Sequence, residues 1–199
     1  MSAADSSADS SVGGSQDDGA QRRRGDGVRQ FAALVTILGA LLAVAEQGWY
    51  RGVEARMGAW AVHELLGYAV IAANSGPTFF FGYHDGARIG YLGLEVSLAC
   101  SSVLLVAPAA VATAVLAVVS RIPMSRLLLA LAATAALVTA INVLRFVLIA
   151  LLVDAWGAQA GFGWAHSFFG SLLTLAGLAG ATWLYYRLAR RTTPSAARR

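Results

Sequence analysis

The sequence predicts an all-α, polytopic membrane protein with about four transmembrane helices, an interfacial helix and an outer β-hairpin. Three observations lead there. Hydrophobic residues make up 57% of the 199 residues and mean hydropathy is +0.61, beyond the apolar share of a soluble domain. Several apolar runs approach or exceed the roughly 20 residues needed to cross a bilayer. All 15 basic residues of the Lys+Arg class are arginines, and most stand at the ends of those runs. That is a topology signal rather than a nucleic-acid-binding surface.

Residues 1–27 are rich in Ser, Gly, Ala and Asp, cannot bury a core, and read as a disordered cytoplasmic tail. The membrane-embedded domain then covers 28–190, and 191–199 form a basic cytoplasmic tail. Arg22 to Arg24 precede a full-length apolar run with no clear cleavage site, so a cleavable signal peptide is not expected. The first span is expected from Phe31 to Gly48. Val53 to Ala73 reads as a helix at the outer interface, anchored by Trp49, Tyr50 and Trp60. Thr78 to Leu92 places aromatic and β-branched residues on either side of Asp85-Gly86, a hairpin signal. A hairpin exposed to lipid would leave backbone groups unsatisfied, so it should cap the outer helix ends. The remaining spans are expected at Val96–Val119, Leu127–Val153 and Ser167–Leu188. No internal repeat is evident.

Arginine placement orients these spans. Arg22, Arg23, Arg24 and Arg29 precede the first span. Arg121 and Arg126 fill the turn between the second and third, and Arg187, Arg190, Arg191, Arg198 and Arg199 follow the fourth. With four spans and both termini in the cytoplasm, all three clusters share one side. If Val53–Ala73 crossed the bilayer, the second and third clusters would lie outside.

Three residues are out of place in these apolar runs. Cys100 is the only cysteine, which rules out an internal disulfide and makes a reactive thiol a candidate. Arg145 lies inside the third run, where an arginine costs roughly 2.5 to 3.5 kcal/mol on insertion scales. His166 opens the fourth. Cys100 is expected about one turn inside the second span and Arg145 about 12 Å below the outer end of the third. His166 is expected at the outer start of the fourth. Thus all three fall in the outer half of the bilayer, from three different helices. Thiol, guanidinium and imidazole together suit cysteine-based acyl transfer.

Each also has a plainer reading. A lone membrane cysteine is usually an inert small residue, Arg145 can pin helices through carbonyls, and His166 can be an interfacial histidine. Asn142, one turn from Arg145, either orients it or bonds another helix. Glu95 pairs either with Arg145 or with an outer arginine and reads as a supporting or structural residue, not a catalytic one. His63 and His84 read as interfacial. Gly170, Thr174, Gly177 and Ala181 form a small-residue stripe suited to close helix packing.

Cys100-Ser101 in one run, Asn142 to Arg145 in the next and His166 to Gly170 in another resemble the motifs of the exosortase/archaeosortase family of membrane-embedded sorting enzymes. The resemblance covers about residues 75 to 187. That family usually has glycine after Cys-Ser, where this chain has Ser102. The resemblance implies a cysteine protease or transpeptidase of a prokaryotic cell membrane, with Cys100, Arg145 and His166 catalytic. It implies a membrane-anchored protein substrate bearing a C-terminal sorting signal. No cofactor, metal or nucleic acid is expected. The rival classes are a haem or metal membrane protein, a small transporter, and a non-catalytic assembly protein. No histidine pair shows i, i+4 ligand spacing, and no paired broken helices are evident.

Reporter tags test the topology. Tags at Ser120 and at the C-terminus should report cytoplasm, and a tag near Asp85 should report the outside. An external C-terminus would mean that residues 53–73 cross the membrane.

Overall fold

The computed structural model describes residues 14–73, 76–86 and 88–190, with side chains from Gly27 onward. Residues 1–13 and 191–199 lie outside the described residues, and residues 14–27 of the tail expected to be disordered are instead the start of a helix. Helix α1 (Gly14–Ala45) is followed at once by α2 (Gln47–Leu66). A three-stranded antiparallel sheet comes next, in the order β1 (Val70–Ala72), β2 (Thr78–Asp85), β3 (Arg88–Glu95). A short 3-10 turn (Leu98–Cys100) leads into α3 (Val103–Val119), and α4 (Met124–Trp156) follows. The last helical stretch is α5 (Ala158–Gly163), a π-helical turn (Trp164–Phe169) and α6 (Gly170–Arg190).

Among the described residues, three helical stretches are long and apolar enough to cross a membrane: Gly27–Ala45, Met124–Trp156 and Ala158–Arg190. Helix α3 is apolar but shorter, at 17 residues. Phe31, Leu34, Leu38 and Leu41 of α1 and Leu172 and Leu175 of α6 are exposed, a surface that suits lipid rather than water. Helix α4 is the most enclosed of the spanning stretches.

The hairpin forms as the sequence predicts, with Asp85 paired to Arg88 and Gly86 at φ +62°. Only a residue tolerant of positive φ fits there cheaply. The interfacial helix differs from expectation. It starts at Gln47 and stops at Leu66, because Gly67 adopts the left-handed conformation (φ +70°) that ends a helix. Val70 and Ile71 then pair with Phe81 and Phe80 as an extra edge strand. Of the three expected anchors, Trp49 and Trp60 are exposed, whereas Tyr50 is half-buried and its hydroxyl bonds Ser102 Oγ at 2.8 Å.

Two apolar clusters organise the chain. The larger joins α2, the sheet and the C-terminal half of α4 around Phe79, Phe81, Phe146 and Val153. Phe79 meets Phe146 edge-on, with ring centroids 5.9 Å apart. The second joins α1, α3 and the ends of α4 and α6 around Ala33, Ala114, Leu127 and Ala189. Arg29 closes this end by donating to the carbonyls of Ala117 (2.9 Å), Ser120 and Ile122 (3.2 Å), groups that the end of α3 leaves unsatisfied. At the other end Asp154 accepts from the Tyr68 hydroxyl (2.9 Å) and the His84 backbone N–H (2.7 Å), tying the sheet to α4. Burial, then the bond to Asp154 and its charge, push the Tyr68 hydroxyl up to about 12.

Gly58 sets how closely α2 approaches this core. A Cβ there would stand 2.6 Å from Phe146 Cδ2 and 3.2 Å from Phe79 Cε1. Gly58→Ala gains helix propensity of about 1 kcal/mol but forces two packed rings apart, a cost of about 1–3 kcal/mol. Thermal unfolding in detergent should therefore show Gly58→Ala destabilised. Gly180→Ala, whose Cβ meets nothing within 4 Å, should be neutral or stabilised.

Candidate active site

The segment before α3 decides where the thiol stands. Composition alone predicts helix from Val96, but the helix starts only at Val103. Ser97 (ψ 163°) and Ser101 (ψ 139°) are extended, and Cys100 closes a single 3-10 turn. Cys100 therefore lies just before the helix, not one turn inside it. The cause is tertiary: the Ser101 hydroxyl donates to Glu54 Oε2 at 2.5 Å, and the Ser102 N–H donates to Glu54 Oε1 at 2.9 Å. Serines readily exchange helix bonds for such partners.

Arg145 lies on α4, on the face that also carries Thr139 and Asn142 at three-residue steps. Its Nη2 donates to the carbonyl of His166 at 3.3 Å. A Cβ on Gly170 would lie 2.6 Å from Arg145 Nε and 2.9 Å from Nη2, so only glycine leaves room for the guanidinium. Arg145 Nε is buried without a hydrogen-bond partner.

His166 is not at the start of the last helix, as the sequence predicts. The helix begins at Ala158, and His166 falls in the wide π-helical turn Trp164–Phe169. Such turns recur at functional sites. Its half-buried ring stacks on Phe162, centroids 5.3 Å apart and planes 11° from parallel.

These pieces meet at two adjoining cavities. One, of about 390 Å³, is lined by Glu95, Ser97, Cys100, Arg145, Phe162 and His166 among others. The other, of about 150 Å³, is more apolar and is lined by Cys100, Ser101, Ser102, Arg145, Thr174 and Gly177 among others. Cys100 and Arg145 belong to both, and the thiol is half-buried. The sequence-predicted trio thus surrounds one cavity, from the turn before α3, from α4 and from the π-helical turn. Among the described residues, no hydrogen bond between side chains joins the three; Arg145 reaches only the His166 carbonyl. Apo sites commonly show such loose geometry.

The family model described as transmembrane exosortase matches residues 27–183. The chain belongs to the transmembrane exosortase family. No curated protein and no solved structure matches it. This exosortase is accordingly a membrane protein of a sorting-protease family. Its match spans α2, the sheet and all the cavity-lining residues named above.

Other candidates resolve differently. Asn142 makes the helix–helix bond, donating from Nδ2 to Glu54 Oε1 at 2.9 Å. Glu95 is exposed at the mouth of the larger cavity and, among the described residues, makes no ion pair with Arg145. His63 and His84 are exposed and line neither cavity. The stripe expected to pack does so at Gly177, where a Cβ would stand 2.9 Å from Ile141. Sequence reasoning misses Glu54, which is 1% exposed. The available signal is its place one turn after Tyr50, since both reach the same serine pair.

The Gly170–Arg145 contact yields a double-mutant test. Gly170→Ala should destabilise by about 1–3 kcal/mol through overpacking. In an Arg145→Ala background the added methyl is relieved of the guanidinium and keeps only the tight approach to the Ala165 carbonyl oxygen at 3.0 Å, so the two costs should fall short of additive. Thermal unfolding of the four proteins in detergent measures the coupling.

Proposed function

We propose that the chain is an integral-membrane cysteine endopeptidase or transpeptidase that cleaves the C-terminal sorting signal of membrane-anchored exported proteins. The observation that carries the reading is the shared cavity. In a chain of the exosortase family, one cavity gathers its only cysteine with Arg145 and His166. In this reading the domain covers 28–190 between two cytoplasmic tails and resides in a prokaryotic cell membrane. Four spans orient it, with α3 as the shortest at about 25 Å. The sheet lies outside and the cavity in the outer half of the bilayer.

The residues then divide the chemistry. The thiolate is the working nucleophile, and apolar surroundings oppose it, while a fixed cation favours it. Arg145 makes one hydrogen bond among the described residues and lines both cavities beside Cys100, so its guanidinium can meet an anion there. Thiolate attack on the scissile carbonyl forms the C–S bond, and Arg145 steadies the oxyanion. Collapse breaks the C–N bond, with His166 protonating the departing amine. The acyl-thioenzyme is then resolved by water or by an amine or hydroxyl acceptor, restoring the thiol.

Processing of a co-expressed, C-terminally signalled membrane protein tests this, normalised to inserted enzyme. Cys100→Ala should abolish processing without loss of the protein, and Cys100→Ser should be severely impaired, because a hydroxyl is far less ionised than a thiol. Arg145→Lys should keep the fold but lose most activity, because lysine lacks the planar fork. Full processing by Cys100→Ala would remove the enzyme reading and leave a transporter or assembly role. Near-normal processing by Arg145→Lys would reduce Arg145 to a placed charge.

A further inference from the structure

We propose that Glu54 is a positioning residue that fixes the Cys100 turn in register with Arg145. The inference rests on the catalytic reading of Cys100 and Arg145 given above. Glu54 is 1% exposed, on a helix that packs across α4. Its carboxylate takes three donors: the Ser101 hydroxyl (2.5 Å), the Ser102 backbone N–H (2.9 Å) and Asn142 Nδ2 (2.9 Å). Among the described residues it has no cationic partner. Burying a carboxylate is costly unless its bonding is complete, and a packing role alone would be served better by an apolar side chain.

What the carboxylate joins explains its presence. Two of its donors belong to the dipeptide that immediately follows Cys100. The third belongs to Asn142, one helical turn before Arg145 on α4. A second set of bonds repeats the arrangement: Tyr50, one turn before Glu54, shares a hydrogen bond with Ser102 Oγ (2.8 Å), and Thr139, one turn before Asn142, meets the same oxygen at 3.3 Å. The Ser101-Ser102 dipeptide is therefore held by Tyr50 and Glu54 from α2 and by Thr139 from α4, while Asn142 holds Glu54. Glu54 alone grips both the dipeptide and α4. It lines neither cavity that Cys100 shares with Arg145, so it acts through Ser101, Ser102 and Asn142 rather than on substrate.

The sign of one measurement separates positioning from simple charge. A negative charge near a thiol opposes the thiolate, so electrostatics alone predicts that Glu54→Gln makes Cys100 more reactive. Loss of register with Arg145 predicts the reverse. Because Cys100 is the only cysteine, iodoacetamide alkylation of the full-length protein in membranes reports on that thiol alone and needs no identified substrate. Arg145→Ala should slow alkylation about tenfold, and Glu54→Gln should approach the same loss, as the thiolate loses its stabilising cation. Ser101→Ala, which removes one donor and leaves the charge, should slow it about threefold. In an Arg145→Ala background, Glu54→Gln should add nothing, because both act on one pairing.

Glu54→Gln alkylating at or above the wild-type rate, with Arg145→Ala slow, overturns the proposal and leaves the catalytic reading intact. Additive slowing in the Arg145→Ala background also overturns it, since general damage would add. Unchanged alkylation in Arg145→Ala removes the thiolate-stabilising role of Arg145 and the role of Glu54 with it. If Glu54→Gln does not accumulate, Ser101→Ala decides, and a wild-type rate there overturns the proposal.

Discussion

Seven residues of non-helical or barely helical backbone, from Val96 to Ser102, lie between the sheet and α3. Irregular backbone at membrane depth is tolerated only where protein supplies the missing hydrogen bonds. Here the Glu54 carboxylate from α2 takes the Ser102 N–H, Tyr50 and Thr139 hold the Ser102 hydroxyl, and Asn142 from α4 holds Glu54 in turn. The N–H of Val96 bonds the Pro77 carbonyl, which ties the start of the segment to the sheet. The thiol can stand at a helix mouth, beside a cavity, because the residues on either side of it are anchored. An uninterrupted helix from Val96 would need none of these partners and would carry Cys100 as one more small residue on its surface.

Arg145 poses the complementary problem, a charge that must be admitted rather than a backbone that must be satisfied. Room for it comes from Gly170, and one carbonyl acceptor comes from His166. Both belong to the region where the last helix changes from π to α geometry. The wide turn and the glycine thus serve the arginine together, and they place the His166 ring on the same cavity. The spacing from His166 to Gly170 is meaningful because one residue offers a carbonyl and a ring and the other offers an absent side chain.

Cys100, Arg145 and His166 were legible because each is chemically foreign to an apolar run. The hairpin was legible because Asp85-Gly86 interrupts a β-rich stretch. Glu54 was not, since beside Arg51, Arg56 and Glu64 it reads as one more residue of a solvated helix face. Only the crossing of α2 over α4 reveals that it points inward. The two misplaced helix starts have the same origin in tertiary contact. Val96 to Ser102 reads as helix by composition, but Glu54 draws its polar groups elsewhere. The last span is expected from Ser167, yet the helix begins at Ala158, where Gly161 lets it lie against the end of α4. A Cβ at that position would lie 2.2 Å from the Leu152 carbonyl oxygen.

The position of the cavity follows from how α4 is shared. Its N-terminal end, at Leu127, belongs to the cluster with α1 and α3, and its stretch from Phe146 to Val153 belongs to the cluster with α2 and the sheet. Between them, Val138 to Arg145 belongs fully to neither, and the smaller cavity lies along it. On the α6 side that space is bordered by Leu173, Thr174 and Gly177. Protein interiors close such gaps when they can. This one lies between the two clusters, where α4 presents Asn142 and Arg145. Cys100 stands where α3 enters this unfilled stretch. A half-buried thiol there borders both the smaller cavity along α4 and the larger one that His166 lines, a combination that neither cluster provides by itself.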